Sequence, residues 1–186
     1  MSHQLARRWF TAGEYNRMVE AGILTEDDRV ELIEGEIVEM SPIGSRHAAC
    51  VNRLTMLLSS QAGQDFIVSV QNPIVVDDYS EPEPDVAILR MRDDYYAHQL
   101  PTVPDVLLVI EVADTSAEID RSVKIPLYAR TGVPLSILVD LPRELIELHS
   151  EPVNGQYQSV QVFGRGDSIQ AKTMPQLILS ADAILG

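Results

Sequence analysis

The stretch "VIEVADTSAEIDRSVKIPLYARTG", residues 109–132, decides the fold because it joins a buried strand to a helix. Its first residues continue an apolar run that starts at Val106. A run that is apolar at successive positions is typical of a central strand covered on both faces. A helix is predicted from about residue 118 to residue 131, and Gly132-Val133-Pro134 ends it. Pro126 lies inside this helix, where it should produce a kink or free a carbonyl group.

The segments on either side of this stretch predict the rest of the sheet and its helices. Strands are predicted at residues 65–76, 84–89, 105–113 and 135–141, with an antiparallel meander at residues 144–150, 156–163 and 168–172. Helices are predicted from a capping box at residues 11–14 to about residue 21, over residues 45–62 and as a terminal turn at 180–185, with a hairpin at residues 29–40. The fold class is therefore α+β with an α/β-type core, in which a mixed sheet is flanked by helices. An N-terminal hairpin and C-terminal antiparallel strands are added to this core.

The length and composition favour one globular domain, residues 1–186. The chain is 45% hydrophobic, which argues against disorder. Cys50 is the single cysteine, which excludes an internal disulfide and a zinc site built from cysteines. No apolar run reaches the length of a membrane span, and no hydrophobic signal core follows the early arginines. We therefore expect a cytoplasmic protein.

The charge of the chain limits its interactions with nucleic acid. The formal net charge is −14 at pH 7. Such a charge favours solubility and opposes general attraction to nucleic acid, which depends largely on neutralising phosphates. A local positive groove is still compatible with it, because salt screens charges beyond about 10 Å.

Glu111 and Lys124 are the first candidates for a functional site. Glu111 lies within a buried strand, where a carboxylate is costly unless it is paired or binds a metal. The chain has twelve arginines but only two lysines, Lys124 and Lys172, so a compact ammonium at position 124 hints at a specific role. A helix that crosses back over the strand could bring Lys124 to Glu111. A purely structural ion pair is the alternative.

Asp85 adds a second carboxylate to this pair. It follows Pro84 and opens a buried strand, so it is either a solvated residue at a loop-to-strand transition or part of a site. Two carboxylates on adjacent strands, with bound water, suit Mg²⁺ or Mn²⁺. A divalent ion and a nearby lysine are the equipment of phosphodiester hydrolysis.

The sequence resembles the Uma-two family, a bacterial group with a restriction-endonuclease-like fold. The resemblance rests on "ELIEGEIVEM", "PDVAIL", "IEVADTS", "DRSVKIPLYARTGVP" and "ILVD", taken together and in this order, and extends from "WFTAGEY" to the final "ILG". The wider PD-(D/E)XK nuclease superfamily carries Pro-Asp on one strand and Glu-X-Lys on the next. Pro84-Asp85 and Glu111 match this signature, whereas Ala113 stands where the lysine is expected. Lys124, on the following helix, is the candidate substitute.

This resemblance implies a role for each residue of the trio and suggests further ones. Asp85 and Glu111 would be metal ligands, and Lys124 the catalytic base or charge stabiliser. Three accessory candidates follow, each with a structural alternative: Glu31, His47 and Asp120. Glu31 is an added acidic ligand or a solvated hairpin carboxylate, His47 lies near the metal or is structural, and Asp120 holds Lys124 or caps the helix. Gln71 has no confident match to the superfamily.

These observations lead to a metal-dependent phosphodiesterase or endonuclease that acts on nucleic acid. No motif in the sequence selects DNA or RNA. The alternative is a catalytically inactive nuclease fold that serves as a dimeric protein-interaction module. A third possibility keeps the metal and acts on a small phosphoester. Exposed edges in the C-terminal meander make a homodimer the expected assembly.

Overall fold

The structure is a computed structural model that describes residues 7–25 and 27–186. The strands are β1 (Val30–Ile33), β2 (Glu36–Glu39), β3 (Phe66–Val70), β4 (Val86–Arg90), β5 (Val106–Ala113), β6 (Leu135–Asp140), β7 (Leu145–Val153), β8 (Gln156–Phe163), β9 (Ser168–Gln170) and β10 (Ile178–Ser180). The helices are α1 (Ala12–Glu20), α2 (Ser45–Ala62), α3 (Ala117–Ile119), α4 (Ile125–Thr131) and α5 (Ala181–Leu185). A π-helical turn, Asp120–Lys124, joins α3 to α4.

Six strands form the main sheet, in the order β3-β4-β5-β6-β7-β8. β5 and β6 are parallel, and the other neighbouring strands of this sheet are antiparallel. A parallel pair needs a crossover connection, which the helical segment from α3 to α4 provides. This mixed sheet, with helices on its faces, confirms the fold class predicted from the sequence.

Two apolar clusters cover the two faces of the sheet. One face packs against α2 and α5, where Leu54 and Leu58 join Ile110 and Val112 of β5 in a buried cluster. The other face packs against α4, where Tyr128 joins Val109, Ala113 and Leu138. β5 is therefore buried on both sides, as its continuous apolar run predicts.

The crossover helix is interrupted by a π-helical turn directly before Pro126. Proline lacks the N–H group that would continue the α-helical ladder, so the chain reorganises its hydrogen bonds here. The interruption that was predicted at Pro126 is thus a π-helical turn. The helix ends at Gly132, whose φ of +87° is the left-handed conformation that glycine adopts without strain.

The N-terminal hairpin forms a separate two-stranded sheet of β1 and β2. It turns at Glu34 and Gly35, as predicted, and both residues have positive φ. Helix α1 begins at the predicted capping box of Thr11 and Glu14. The hairpin contacts the segment that connects β3 to β4, since Leu32 forms an isolated bridge with Glu81.

Two predicted strands differ from the structure. The strand predicted over residues 65–76 ends at Val70, because Gln71 has a φ of +50° and breaks the ladder. In the rest of the predicted range, residues 71–76, only Val75 forms a bridge, with Thr102. The segment at 168–172 was predicted in the meander, but β9 leaves the main sheet and pairs with β10. Period-2 patterning identifies a strand without identifying its partner, which explains the second error.

Among residues 7–25 and 27–186, no helix is both long enough and apolar enough to cross a membrane.

Cys50 provides a test of the packing between α2 and the sheet. Its side chain is 0% exposed, and burial raises the pKa of its thiol to about 11. We expect the native protein to react with a thiol-specific disulfide reagent at about pH 8 far more slowly than the protein unfolded in guanidinium, because only an accessible thiolate is reactive. Absorbance of the released thiol measures both rates. Rapid, stoichiometric reaction of the native protein would contradict this packing.

Candidate active site

Asp85 lies directly before β4, which begins at Val86 rather than at the predicted residue 84, and it stands at the level of Glu111 in β5. Val86 of β4 lies opposite Ile110 of β5, so the antiparallel register brings the preceding residue, Asp85, to the level of Glu111. A hydrogen bond fixes this relation, since the backbone N–H of Val112 donates to Asp85 Oδ2 at 2.8 Å. The structure therefore places Asp85 and Glu111 at the same level of neighbouring chain segments, and their role as a pair stays a prediction.

Lys124 bridges two buried carboxylates. Its Nζ lies 2.9 Å from Glu31 Oε2 and 3.5 Å from Glu111 Oε1. The three side chains are between 4% and 11% exposed. Alternation along β5 puts Glu111 on the face that α4 covers, which is why the crossover helix can bring an ammonium to it. The predicted contact between Lys124 and Glu111 is thus present, and Glu31 joins it.

Tyr128 belongs to this group although the sequence analysis did not select it. Its hydroxyl donates to Glu111 Oε1 at 2.6 Å, and its side chain is 0% exposed. The signal was available, because Tyr128 follows Lys124 by four positions and residues with this spacing share a helix face. Glu111 therefore receives a hydrogen bond from Tyr128 and lies beside an ammonium.

His47 and Gln71 contact the carboxylate of Asp85. His47 Nε2 lies 2.9 Å from Asp85 Oδ1, and Gln71 Nε2 donates to the same oxygen at 3.4 Å. The backbone N–H of Gln71 also donates to the Asp85 carbonyl. His47 Nδ1 is buried and has no hydrogen-bond partner among the described residues. His47 is thus beside the candidate site, rather than only part of the apolar face of α2.

Glu31 and Asp120 complete the set of predicted residues. Glu31 is buried and its Oε2 accepts a hydrogen bond from the backbone N–H of Glu83 at 3.1 Å, so the alternative of a solvated hairpin carboxylate is wrong. Asp120 is also buried, and its Oδ2 accepts a hydrogen bond from the Ser116 hydroxyl at 2.6 Å. The structure thus brings all six predicted site residues to one region.

The charges around Glu111 and Lys124 shift the pKa values of both side chains. Burial raises the pKa of Glu111 well above its ordinary value, although the charge of Lys124 opposes that effect. For Lys124, burial alone would lower the pKa, but the negative charges of Glu111 and Glu31 outweigh burial and the pKa is raised. Lys124 is therefore a protonated ammonium at neutral pH.

The pKa values of His47 and Asp120 are also shifted. The hydrogen bond to Asp85 raises the pKa of His47, against the effect of burial. Burial raises the pKa of Asp120, and the hydrogen bond from Ser116 opposes this rise. Clustered perturbations of this kind are common at functional sites and also occur in structural ion-pair networks.

The six predicted site residues line one cleft of about 220 Å³. Its cationic or partly cationic lining residues are Arg29, Lys124 and His47. Seven acidic residues line it: Glu31, Glu39, Glu83, Asp85, Glu111, Asp114 and Asp120. The cleft is therefore acidic, and it attracts cations rather than phosphates.

The donor chemistry of the cleft fits a hard divalent cation in part. Asp85 and Glu111 both line it, and Mg²⁺ is commonly held by one or two carboxylates while it keeps several waters. Within residues 7–25 and 27–186, no three His, Cys, Asp or Glu side chains are grouped so that they could hold a metal ion. Asp85 and Glu111 thus have the donor chemistry for such a cation, and the described residues do not add a third grouped ligand.

Comparison with known proteins gives the family. A family described as "Uma2: Putative restriction endonuclease" matches residues 12–182. The chain belongs to this family. The resemblance seen in the sequence is thereby confirmed, and the trio Asp85, Glu111 and Lys124 lies inside the matched range.

A solved structure has the same fold as this member of the Uma2 family. It is the crystal structure of "a putative nuclease belonging to DUF820" from Anabaena variabilis, with a TM-score of 0.68 and 14% sequence identity. The alignment covers 95% of this chain and 97% of that chain. At this identity the likeness concerns the fold alone. The chain matches no curated protein.

The buried ion group predicts a large loss of stability when its cation is removed. We expect Lys124→Met to lower the free energy of unfolding by about 3 kcal/mol or more, because it leaves Glu31 and Glu111 buried without an opposite charge. Urea denaturation followed by circular dichroism measures this loss. The matched control is Lys172→Met, at the other lysine, whose side chain is 89% exposed and whose removal should change little.

A second variant identifies the cause of that loss. Lys124→Met/Glu111→Gln should recover part of the stability, because one of the unpaired carboxylates is gone. Equal stability of Lys124→Met and the wild-type protein would show that the ion group contributes nothing to folding.

Proposed function

We propose that this protein is a metal-dependent nuclease that hydrolyses phosphodiester bonds of nucleic acid. One observation carries the proposal: Asp85 and Glu111 lie at the same level of neighbouring chain segments, Lys124 contacts Glu111, and all three line one cleft. Membership of the family described as "Putative restriction endonuclease" supports the same reaction class.

Asp85 and Glu111 would hold the metal ion, Mg²⁺ or Mn²⁺. When bound, such an ion supplies a hydroxide nucleophile at neutral pH and stabilises negative charge on the phosphate. The chain's own residues would orient the two ligands. Val112 N–H and His47 fix the carboxylate of Asp85, and Tyr128 fixes that of Glu111.

Lys124 would act as a charge stabiliser rather than as a general base. A general base works best when its pKa is near the operating pH, whereas the carboxylates around Lys124 raise its pKa. A fixed ammonium in a partly buried site can instead stabilise charge that develops on a phosphate oxygen. Glu31 would hold the ammonium in position, since its Oε2 is 2.9 Å from Nζ.

The acidic lining of the cleft determines how nucleic acid would bind. Phosphates are repelled by the carboxylates of the free cleft, whose nearest cations are Lys124 and Arg29. A bound divalent cation would offset part of this negative charge. Binding of nucleic acid should therefore depend on the metal more strongly than in a nuclease with a basic groove.

The same acidic lining favours a second candidate, an inactive nuclease fold that serves as a protein-interaction module. In this interpretation the contacts of Lys124 with Glu31 and Glu111 satisfy the buried charges without a metal. Such an ion group is stable in a protein without any catalytic role. The two candidates differ in whether metal binds the cleft.

Calorimetric titration with Mn²⁺ separates these candidates. We expect saturable binding at one site in the wild-type protein and loss of binding in Glu111→Gln, because the variant removes a charged ligand. The control is Glu151→Gln, which removes an exposed carboxylate of β7 and should bind as the wild type does. Absence of binding to the wild-type protein, with and without single-stranded DNA present, would rule out the metal-dependent reaction.

Cleavage assays then test the role of Lys124 and the substrate. We expect Mn²⁺-dependent cleavage of nucleic acid, and a loss of about 100-fold in Lys124→Arg, because the planar guanidinium cannot reproduce the compact charge. Plasmid DNA, single-stranded DNA, RNA and bis(p-nitrophenyl) phosphate are compared as substrates. Near-ultraviolet circular dichroism confirms that the variant is folded. Cleavage of the small phosphoester alone would replace nucleic acid as the substrate, and equal rates for Lys124→Arg would remove Lys124 from the reaction.

A further inference from the structure

Arg29 is a cation of the cleft whose charge is not taken up by a carboxylate. The Lys124 ammonium lies against two carboxylates, and the His47 imidazole lies against the carboxylate of Asp85. In the part of the chain that the structure describes, the Arg29 side chain makes one hydrogen bond, from Nη1 to the carbonyl of Ser41 at 3.3 Å, and no ion pair. Its charge is therefore available to an anion that enters the cleft.

The charge of Arg29 acts on other groups of the same cleft. The hydrogen bond to Asp85 raises the pKa of His47, and the charge of Arg29 opposes that rise. Burial raises the pKa of Glu83, and Arg29 opposes this rise as well. A guanidinium is a planar fork of five N–H donors that matches two oxygens of a phosphate. Because four of these donors make no hydrogen bond to a described residue, Arg29 can bind a phosphate close to the site.

Three exposed aliphatic side chains line this acidic cleft. Val38 is 38% exposed, Ile43 is 43% exposed and Ile119 is 59% exposed. Val38 lies opposite Glu31 in the hairpin, so the two side chains are on the same face of it. Single exposed apolar residues are ordinary on a protein surface, but three at one cleft form a surface that can contact an apolar group. The flat face of an unpaired nucleobase is such a group.

The two carboxylates proposed as metal ligands are recessed. The side chain of Asp85 is 14% exposed and that of Glu111 is 4% exposed, within a cleft of about 220 Å³. Phosphates of an intact duplex lie on the outside of a stiff double helix, which would also bring the charges of two strands to the acidic lining. A single strand carries half that charge per unit length and can turn one nucleotide into a pocket.

We propose that the cleft binds one unpaired nucleotide of a single-stranded nucleic acid, with a phosphate on Arg29 and the base against Ile43 and Ile119. This inference rests on the proposed function, because it names the class of substrate for that reaction. Arg29 supplies the phosphate contact at the rim, since the Lys124 ammonium is already held between carboxylates. The aliphatic side chains supply a contact that the acidic lining does not repel.

Fluorescence anisotropy of labelled oligonucleotides of about 12 nucleotides tests this inference. Single-stranded DNA and single-stranded RNA of one sequence are compared with the DNA duplex, with Mn²⁺ present and on ice, before hydrolysis proceeds. We expect the wild-type protein to bind the preferred single strand about 10-fold more tightly than the duplex. The comparison of DNA with RNA identifies which single strand the cleft prefers.

Two variants separate the phosphate contact from the base contact. Arg29→Gln should weaken single-strand binding by about 10-fold and reduce its salt dependence by about one released counterion. Ile43→Ser/Ile119→Ser should weaken binding by about 10-fold and leave the salt dependence unchanged. The matched controls are Arg17→Gln, at an exposed arginine of α1, and Val160→Ser/Val162→Ser, at exposed valines of β8, and both should bind as the wild type does.

The results distinguish failure of this inference from failure of the proposed function. Duplex binding as tight as single-strand binding, no binding of any oligonucleotide, or either cleft variant behaving like its control would overturn the inference. If Mn²⁺-dependent cleavage still occurs in those cases, the proposed function stands without it. Single-strand binding that depends on Arg29 and on the two isoleucines, in a protein that cleaves nothing, would support the inference and reject the nuclease reaction.

Discussion

The burial of a carboxylate in the central strand is the constraint on which the rest of the site depends. Glu111 lies in β5, between two apolar clusters that exclude water from the strand. A lone ionised carboxylate in such surroundings is strongly unfavourable. The crossover helix resolves this by supplying the ammonium of Lys124 and the hydroxyl of Tyr128. The π-helical turn before Pro126 is part of that solution, because Lys124 is its last residue.

The same contacts link stability to the proposed chemistry. Lys124 compensates Glu111 and Glu31 when the cleft holds no cation, and a bound cation would take over part of that compensation. Removing Lys124 therefore affects folding and reaction together, whereas replacing it with arginine preserves the charge and changes mainly the geometry. Activity measurements on this site are informative only when the free energy of unfolding is measured on the same variants.

The negative charge of this protein is unevenly distributed in a way that separates two surfaces. The cleft collects seven of the acidic residues, so it attracts cations and discourages phosphates until its charge is offset. The two edge strands of the main sheet, β3 and β8, contain no charged residue. The net charge of −14 therefore describes neither region, because the field at each one depends mainly on the charges within a screening length.

The sequence by itself determined the buried strand β5, its crossover helix and the contact between Glu111 and Lys124, because local periodicity and the cost of a buried charge depend on neighbouring residues. The extent of β3, the partner of β9 and the role of Tyr128 depend on contacts between distant segments, which periodicity does not encode. Glu31 is the clearest case. The sequence predicted its hairpin. The packing of that hairpin against the segment between β3 and β4 is what buries the Glu31 carboxylate 2.9 Å from Lys124, and the sequence pattern does not show this packing.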